Sequence, residues 1–189
     1  MFVVVVLSTV LLCGALGGKV SRLGDLSIRS IGWIAASYII RYLAGLAAGK
    51  VGTSPALSIV LSVACYGCLL WGIKANFNLP GMKAVALGTA MNLAVIIANG
   101  GRMPVSLLRL SPDHALSEAA RLSISLTHQA LLPGMRLTFL ADVFRWSMPL
   151  SQVTVFSLGD VFLAIGASFL VMTVMLRGFP SAKVDGRID

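Results

Sequence analysis

A guanidinium inside an apolar stretch is the feature of this sequence that most demands a chemical explanation. Arg41 falls near the middle of a hydrophobic run from about Ile31 to Gly49, and a charge at mid-membrane costs at least ~2.5 kcal/mol on insertion scales. It must face other helices or meet a counter-charge. One chemistry that uses it is the anchoring of an anionic ligand, a lipid headgroup or a quinone oxygen. The plainer reading, which weighs more, is a structural ion pair, or a long stem that carries the charge to the interface. No acid occurs in the first four apolar runs, so the carboxylates offered to Arg41 are Asp142 and Asp160. Asp160 closes Ser157-Leu-Gly-Asp160, whose S-x-x-D pattern is a helix capping box. Capping is the favoured role, although a carboxylate can cap a helix and also pair with an arginine.

His114 and His128 are the two histidines. With Asp113 and Glu118 nearby they suggest a metal, but the spacing matches no metal pattern and H-E-x-x-H is absent. No metal and no cofactor are expected. His128, in Leu-Thr-His-Gln-Ala-Leu, reads as an interfacial or hydrogen-bonded histidine. Cys65-Tyr-Gly-Cys68 is formally C-x-x-C. Redox chemistry needs thiolate access, and an apolar setting raises a thiol pKa, so packing is the expected role. Asn92 lies within the fourth run, and Asn99 and Arg102 flank a Gly-Gly pair at its end. The candidate ligand-binding residues are therefore Arg41, Asn92, Asn99, Arg102, His128, Asp142 and Asp160. No serine elbow, phosphate loop or carboxylate dyad accompanies them.

The elements that must position these groups are membrane helices. Hydrophobic residues make up 57% and charged residues 12% of 189 residues, and mean hydropathy is +0.91. A soluble domain would show roughly twice that charged fraction. The net charge of +8 is spread singly at the ends of apolar runs, which argues against nucleic acid as a partner. The three cysteines all fall within apolar runs and imply no disulfide framework. The predicted fold is an all-α integral membrane protein of about five transmembrane helices, at 2–18, 31–49, 55–73, 81–98 and 158–176. One bundle over 1–176 carries a polar, cytoplasmic tail at 177–189. The first run lacks the basic start of a cleaved signal and is read as a retained span. The faint lipoprotein-like box Leu11-Leu12-Cys13-Gly14 is spoiled by a bulky leucine before the cysteine. Gly14 with Gly18 and Gly45 with Gly49 are spaced four apart, a spacing that lets helices approach closely, though a weak signal in membrane helices.

Asn99-Gly-Gly-Arg-Met-Pro104 is the hinge of the chain. Two glycines supply backbone freedom at a helix end, with positive φ expected at one or both, and Pro104 stops the helix from resuming. The stretch 102–156 beyond it is more polar and is read as interfacial, with one or two helices lying on or over the bundle. Ser111-Pro112-Asp113 caps the first of these, in which Glu118 and Arg121 pair three apart. Met135 to Trp146 supplies the second. Thr53-Ser54-Pro55 is a similar helix start, with a hydroxyl cap and proline in the first turn. With five spans, Lys19, Arg22, Arg29, Lys74, Lys83, Arg177, Lys183 and Arg187 share one face against Lys50 in the short loop of the other. The bias predicts an outside N-terminus and a cytoplasmic C-terminus.

Four pieces carry a resemblance: Asn78-Leu-Pro-Gly81, Asn99-Gly-Gly-Arg-Met-Pro-Val-Ser106, the run from Thr127-His128 to Leu140-Ala-Asp142, and Phe156-Ser-Leu-Gly-Asp160. In order and spacing the sequence resembles domain-of-unknown-function family 5317, small bacterial membrane proteins. The resemblance implies a protein of the bacterial cytoplasmic (inner) membrane with about five helices, and it implies no activity. The leading functional expectation is non-enzymatic: binding of a lipid or amphiphile, or service as an accessory subunit of a membrane assembly. Its partners are membrane lipids and other membrane-protein subunits. A small transporter or channel for an anionic solute is the alternative, with Arg41, Asn92 and Arg102 lining one path. An enzyme on a lipid-linked substrate at the outer interface is the third, with His128 as base and Arg102 on phosphate.

Overall fold

The computed structural model describes residues 1–52, 54–110, 112–147 and 154–178. The expected caps at Thr53 and Ser111, and the tail at 179–189 with Lys183 and Arg187, lie outside the described residues. The chain is mostly helical. Five apolar helices occupy the five predicted intervals: α1 (Phe2–Ala15), α3 (Ile31–Ala47), α4 (Pro55–Ala75), α5 (Met82–Ala98) and α7 (Leu158–Arg177). A one-turn helix, α2 (Ser21–Gly24), interrupts the loop before α3. By length and hydropathy α4 and α7 can cross a bilayer, with 21 and 20 residues, while α1, α3 and α5 are shorter.

Sequence order and spatial order differ. α3 packs on α4, α4 on α5, α5 on α7 and α7 on α1, so the last helix is inserted between the first and the fourth apolar ones. Two edges result, and both are apolar. Leu11 of α1 is 74% exposed and Tyr42 of α3 is 67% exposed. One end of this layer gathers the loops around Arg22 and Arg29. Arg22 Nη1 donates to the carbonyls of Met175 and Leu176 at the end of α7 (2.8 and 2.9 Å). Asn76 Nδ2 donates to the Arg29 carbonyl and its Oδ1 accepts from the Arg29 amide.

α5 and α7 meet through glycine. A Cβ at Gly81 would lie 2.0 Å from the Gly166 carbonyl oxygen, and one at Gly88 would lie 2.4 Å from that of Gly159. Only hydrogen fits there, so the backbones touch. The four-residue glycine spacings read from the sequence are not used this way, for Gly14 and Gly45 face open space.

The hinge turns as anticipated. Gly100 and Gly101 have φ of 75° and 84°, the Gly101 amide donates to Ile96 O (2.9 Å), and the Gly101 carbonyl accepts from Ser62 Oγ (2.7 Å). The segment beyond the hinge corrects the all-α expectation. β1 (Met103–Val105) pairs in parallel with β2 (His128–Ala130), and α6 (Pro112–Ser123) forms part of the crossover between them. A parallel pair requires a crossover of this kind. Asp142 joins β1 from its other side through a parallel bridge with Val105. β3 (Phe144–Trp146) and β4 (Thr154–Phe156) form an antiparallel pair leading back to α7. The second interfacial helix predicted over 135–146 is absent among the described residues. Leu137 takes a left-handed backbone (φ 52°), one turn of 3-10 helix covers Thr138–Leu140, and the backbone after it bonds to β1 instead. Met103, Leu140 and Ala141 pack against Val95 and Ile96 of α5 in one buried cluster, which seats the polar excursion on the helices rather than beside them.

Candidate functional site

The polar groups of the excursion and of the helices converge where α7 begins. Ser157 and Asp160 form the predicted capping box: the Asp160 amide donates to Ser157 Oγ (3.0 Å) and the Ser157 amide to Asp160 Oδ2 (3.1 Å). Asp160 keeps its second oxygen for Asn92, whose Nδ2 donates to Oδ1 (3.0 Å) while its own Oδ1 accepts from Ser157 Oγ (2.9 Å). Asn92 is 4% exposed and locks α5 to the start of α7. This is possible because Gly159 leaves room: a Cβ there would sit 2.1 Å from Asn92 Oδ1.

Arg41 lies six residues before the end of α3, about 9 Å inside the helix. Its side chain meets neither Asp142 nor Asp160 in an ion pair. Nη2 instead lies 3.3 Å from His128 Nε2, and the single ion pair among the described residues joins Arg121 to Glu118. This contact fixes the histidine chemically. A guanidinium only donates, so Nε2 must accept, and Nδ1 carries the proton it shares with Thr127 Oγ1 at 2.8 Å. Burial first, and the charge of Arg41 second, push the imidazole down to about 3. His128 is neutral, with its basic nitrogen occupied by an arginine.

Arg41 and His128 each line a hollow. A groove of about 200 Å³ is lined by Arg41, Tyr66, Leu69, Asn92, Asp160 and Leu163 among others, between α3, α4, α5 and α7. A cleft of about 320 Å³ is lined by His114, Glu118, Arg121, His128 and Asp142 with residues of β4. Arg41 belongs to the first, His128 to the second. Asp142 is 9% exposed. Its backbone is engaged, the amide donating to Pro104 O (3.0 Å) and the carbonyl accepting from the Ser106 amide (2.9 Å), but Oδ1 is buried without a partner. Burial, reinforced by Asp160 and opposed by Arg41, pushes this carboxyl up to about 7. At the cleft wall the expected Glu118–Arg121 pair forms, Arg121 Nε donating to Glu118 Oε2 (2.8 Å), and that bond holds the Glu118 carboxyl below its ordinary value.

Of the seven candidates, Arg41, Asn92, His128, Asp142 and Asp160 are brought together. Asn99 is not. Its amide donates to Val95 O and Arg136 O and its Oδ1 accepts the Arg136 amide, so it pins the loop after Gly134 to the end of α5. Arg102 lines neither hollow, and its carbonyl accepts from Gln129 Nε2 (3.3 Å). Tyr66, the bond from Ser157 to Asn92 and the contact glycines Gly81, Gly88, Gly159 and Gly166 were missed by sequence reasoning. The i, i+7 spacing of Gly81 with Gly88 and of Gly159 with Gly166 was the available signal. Cys65 Sγ donates to Ser37 O (3.2 Å), a packing role as expected.

Asp142 and His128 place opposite pH dependences on stability. The Asp142 carboxyl rises from 3.8 to about 7 on folding, so its contribution falls as pH climbs from about 4 to 7. The His128 imidazole drops from 6.5 to about 3, so its contribution grows as pH climbs from about 3 to 6.5. Between about pH 4 and 6.5 the two cancel. Thermal melting in detergent is expected to be nearly level there for the native chain. Asp142→Asn should melt progressively higher from pH 4 to 6.5, and His128→Gln progressively lower. Parallel profiles for all three proteins would contradict the assignment.

Residues 25–172 match the model of a family described as a family of unknown function, DUF5317. An uncharacterized protein of Thermotoga maritima is 32% identical over 107 residues, 56% of this chain and 60% of its own length. The chain thus spans about three-fifths of the curated relative it matches. No solved structure matches.

Proposed function

We propose that this chain, which belongs to the DUF5317 family of unknown function, is an integral membrane protein that binds an amphiphile with an anionic headgroup. The observation that carries the proposal is Arg41: a guanidinium in the wall of a groove between helices, in contact with a neutral histidine and with no carboxylate paired to it among the described residues. A cation so placed is matched by an anion that arrives from outside the protein. The apolar part of the groove wall, with Leu69 and Leu163, suits acyl chains.

Five crossings are part of the proposal. The hydropathic windows of α4 and α7 are 22% and 28% buried, so most of each faces outward, unlike the core helix of a soluble protein. The shorter α1, α3 and α5 are equally apolar and pack beside them, and a bilayer thins to meet short spans at modest cost. The membrane is the bacterial cytoplasmic membrane, with the N-terminus outside, as the basic loops at the Arg22 end indicate. A C-terminal reporter active outside the cell would contradict that orientation. An accessory-subunit role is compatible with the apolar edges of α1 and α3. Transport along Arg41, Asn92 and Arg102 lacks its third residue in the groove, and catalysis with His128 as base meets an occupied Nε2.

The test is extraction of the full chain from membranes in polymer discs, with co-purifying lipids quantified by mass spectrometry. Arg41→Met is expected to lose about tenfold of its bound anionic lipid while keeping zwitterionic lipid, a loss typical of one charged hydrogen-bonding group. Unchanged anionic lipid in that variant would refute the proposal.

A further inference from the structure

The hydroxyl of Tyr66 is a polar group that the fold leaves unspent. The residue lies near the middle of the 21-residue α4, away from the membrane interface where a phenol ordinarily meets water. Its ring packs on the buried cluster of Val95 and Ile96, which holds its direction. Ser37 and Thr89 in the same groove wall bond to carbonyls of their own helices. The Tyr66 hydroxyl bonds to none of the described residues, yet it is not sealed in. The buried side-chain atoms without partners among those residues are Ser58 Oγ and Asp142 Oδ1, so Tyr66 Oη keeps accessible surface. Tyr66 lines the groove and a smaller hollow between α3, α4 and α5, and Arg41 lines both. The Arg41 charge acts on that hydroxyl, although no hydrogen bond joins the two. The Tyr38 phenol of the same wall is also unbonded among the described residues, but it is 65% exposed and so is not held.

We propose that Tyr66 and Arg41 hold one oxyanion between them, the phenol donating to one oxygen and the guanidinium to another. The headgroup then presents two acceptor oxygens on a single centre, as a phosphodiester or a carboxylate does. The inference rests on headgroup binding in the groove and adds to it a second, uncharged donor. Arg41 is in contact with His128 through Nη2, and a guanidinium has further donors to offer. α3 supplies the charge and α4 the hydroxyl, so the bound oxyanion draws its bonds from two helices. A hydrogen bond to an ionised acceptor is about twice as strong as one between neutral groups. The hydroxyl therefore favours a charged ligand over a neutral amphiphile. Phenylalanine would fill the same space against Val95 and Ile96, so the hydroxyl is what distinguishes this position.

The experiment compares Tyr66→Phe, which keeps the ring, with the native full chain, both stripped of lipid in detergent. Dioleoyl phosphatidylglycerol, oleate and the neutral dioleoylglycerol are each titrated and read by native mass spectrometry. The anion that the native chain binds more tightly identifies the source of the oxyanion, phosphodiester or carboxylate. Tyr66→Phe should weaken that anion about tenfold and leave dioleoylglycerol unaffected. The lipid-free variant should melt at the native temperature, because the hydroxyl makes no bond within the protein. In an Arg41→Met background the same substitution should cost little, since the oxyanion is no longer held there. Full affinity for the anion in Tyr66→Phe overturns the inference. So does a lowered melting temperature or failure of that variant to fold, either of which makes the hydroxyl structural. An undiminished tenfold loss in the Arg41→Met background also overturns it, by placing Tyr66 at a different contact. Arg41→Met alone separates the two readings. If it weakens the anion while Tyr66→Phe does not, the second donor alone fails. If it weakens nothing, the groove reading fails and the inference falls with it.

Discussion

Gly101→Val is expected to leave almost no folded protein. The residue has φ of 84°, a backbone state that a β-branched side chain enters only with strain. The added Cβ would also lie 2.2 Å from the Ile59 amide nitrogen and 2.4 Å from the Ser58 carbonyl carbon. Both obstacles are backbone inside α4, so neither can rotate away. Strain and overlap together cost on the order of 4 kcal/mol or more, a large part of a domain's stability. Val105→Ala is the fair comparison, two residues into β1 and fully buried at 2% exposure. It removes methyl groups but overlaps nothing, at about 2 kcal/mol. Folded yield by fluorescence size-exclusion should fall far more for Gly101→Val. Equal yields would show that the turn does not need its glycine.

Gly166→Leu is the second large effect. Its Cβ would meet the Gly81 carbonyl oxygen at 2.6 Å and the Val85 amide nitrogen at 2.9 Å. α7 would have to move off α5, breaking the most extensive helix contact in the protein and with it the seat of Asn92 on Asp160. A loss of about 3 kcal/mol or more is expected. Gly45→Leu, facing open space on α3, should cost little. Thermal melting of both variants in detergent checks this. Comparable losses at Gly166 and Gly45 would contradict backbone contact between α5 and α7.

Which of these features can be read in the chain depends on the range of the forces involved. Local chemistry is legible. Ser157-x-x-Asp160 is a capping box because its bonds span three residues, and the hinge glycines turn because a helix end next to Pro104 leaves few alternatives. The apolar runs mark all five helices, since hydrophobicity needs no partner to be recognised. The excursion is not legible in this way. Residues 135–146 mix Arg136, Asp142 and Arg145 with apolar groups, and nothing local says that their donors will go to β1. That pairing is set by Met103, Leu140 and Ala141 closing on Val95 and Ile96. Arg41 stands out in the sequence for the right reason, the cost of its charge, but its neighbours are not the expected carboxylates. Parallel pairing of β2 with β1 brings His128 to it instead, and no spacing in the sequence predicts that register. Glycine faces suggest themselves at four-residue spacing, while the backbones touch at seven.

Site-specific photo-crosslinking tests most directly whether an anionic headgroup is held at Arg41 in the groove. A photoreactive residue replaces Leu69 in the groove wall, and, in a second protein, Leu11 on the outward face of α1. After irradiation in native membranes, the lipid attached to each is identified by mass. At position 69 the adduct is expected to be enriched in anionic phospholipid, and to fall about tenfold when Arg41→Met is added. At position 11 the adducts should mirror the bulk lipid and ignore Arg41. The same unselected mixture at both positions, unchanged by Arg41→Met, would show that Arg41 holds no headgroup.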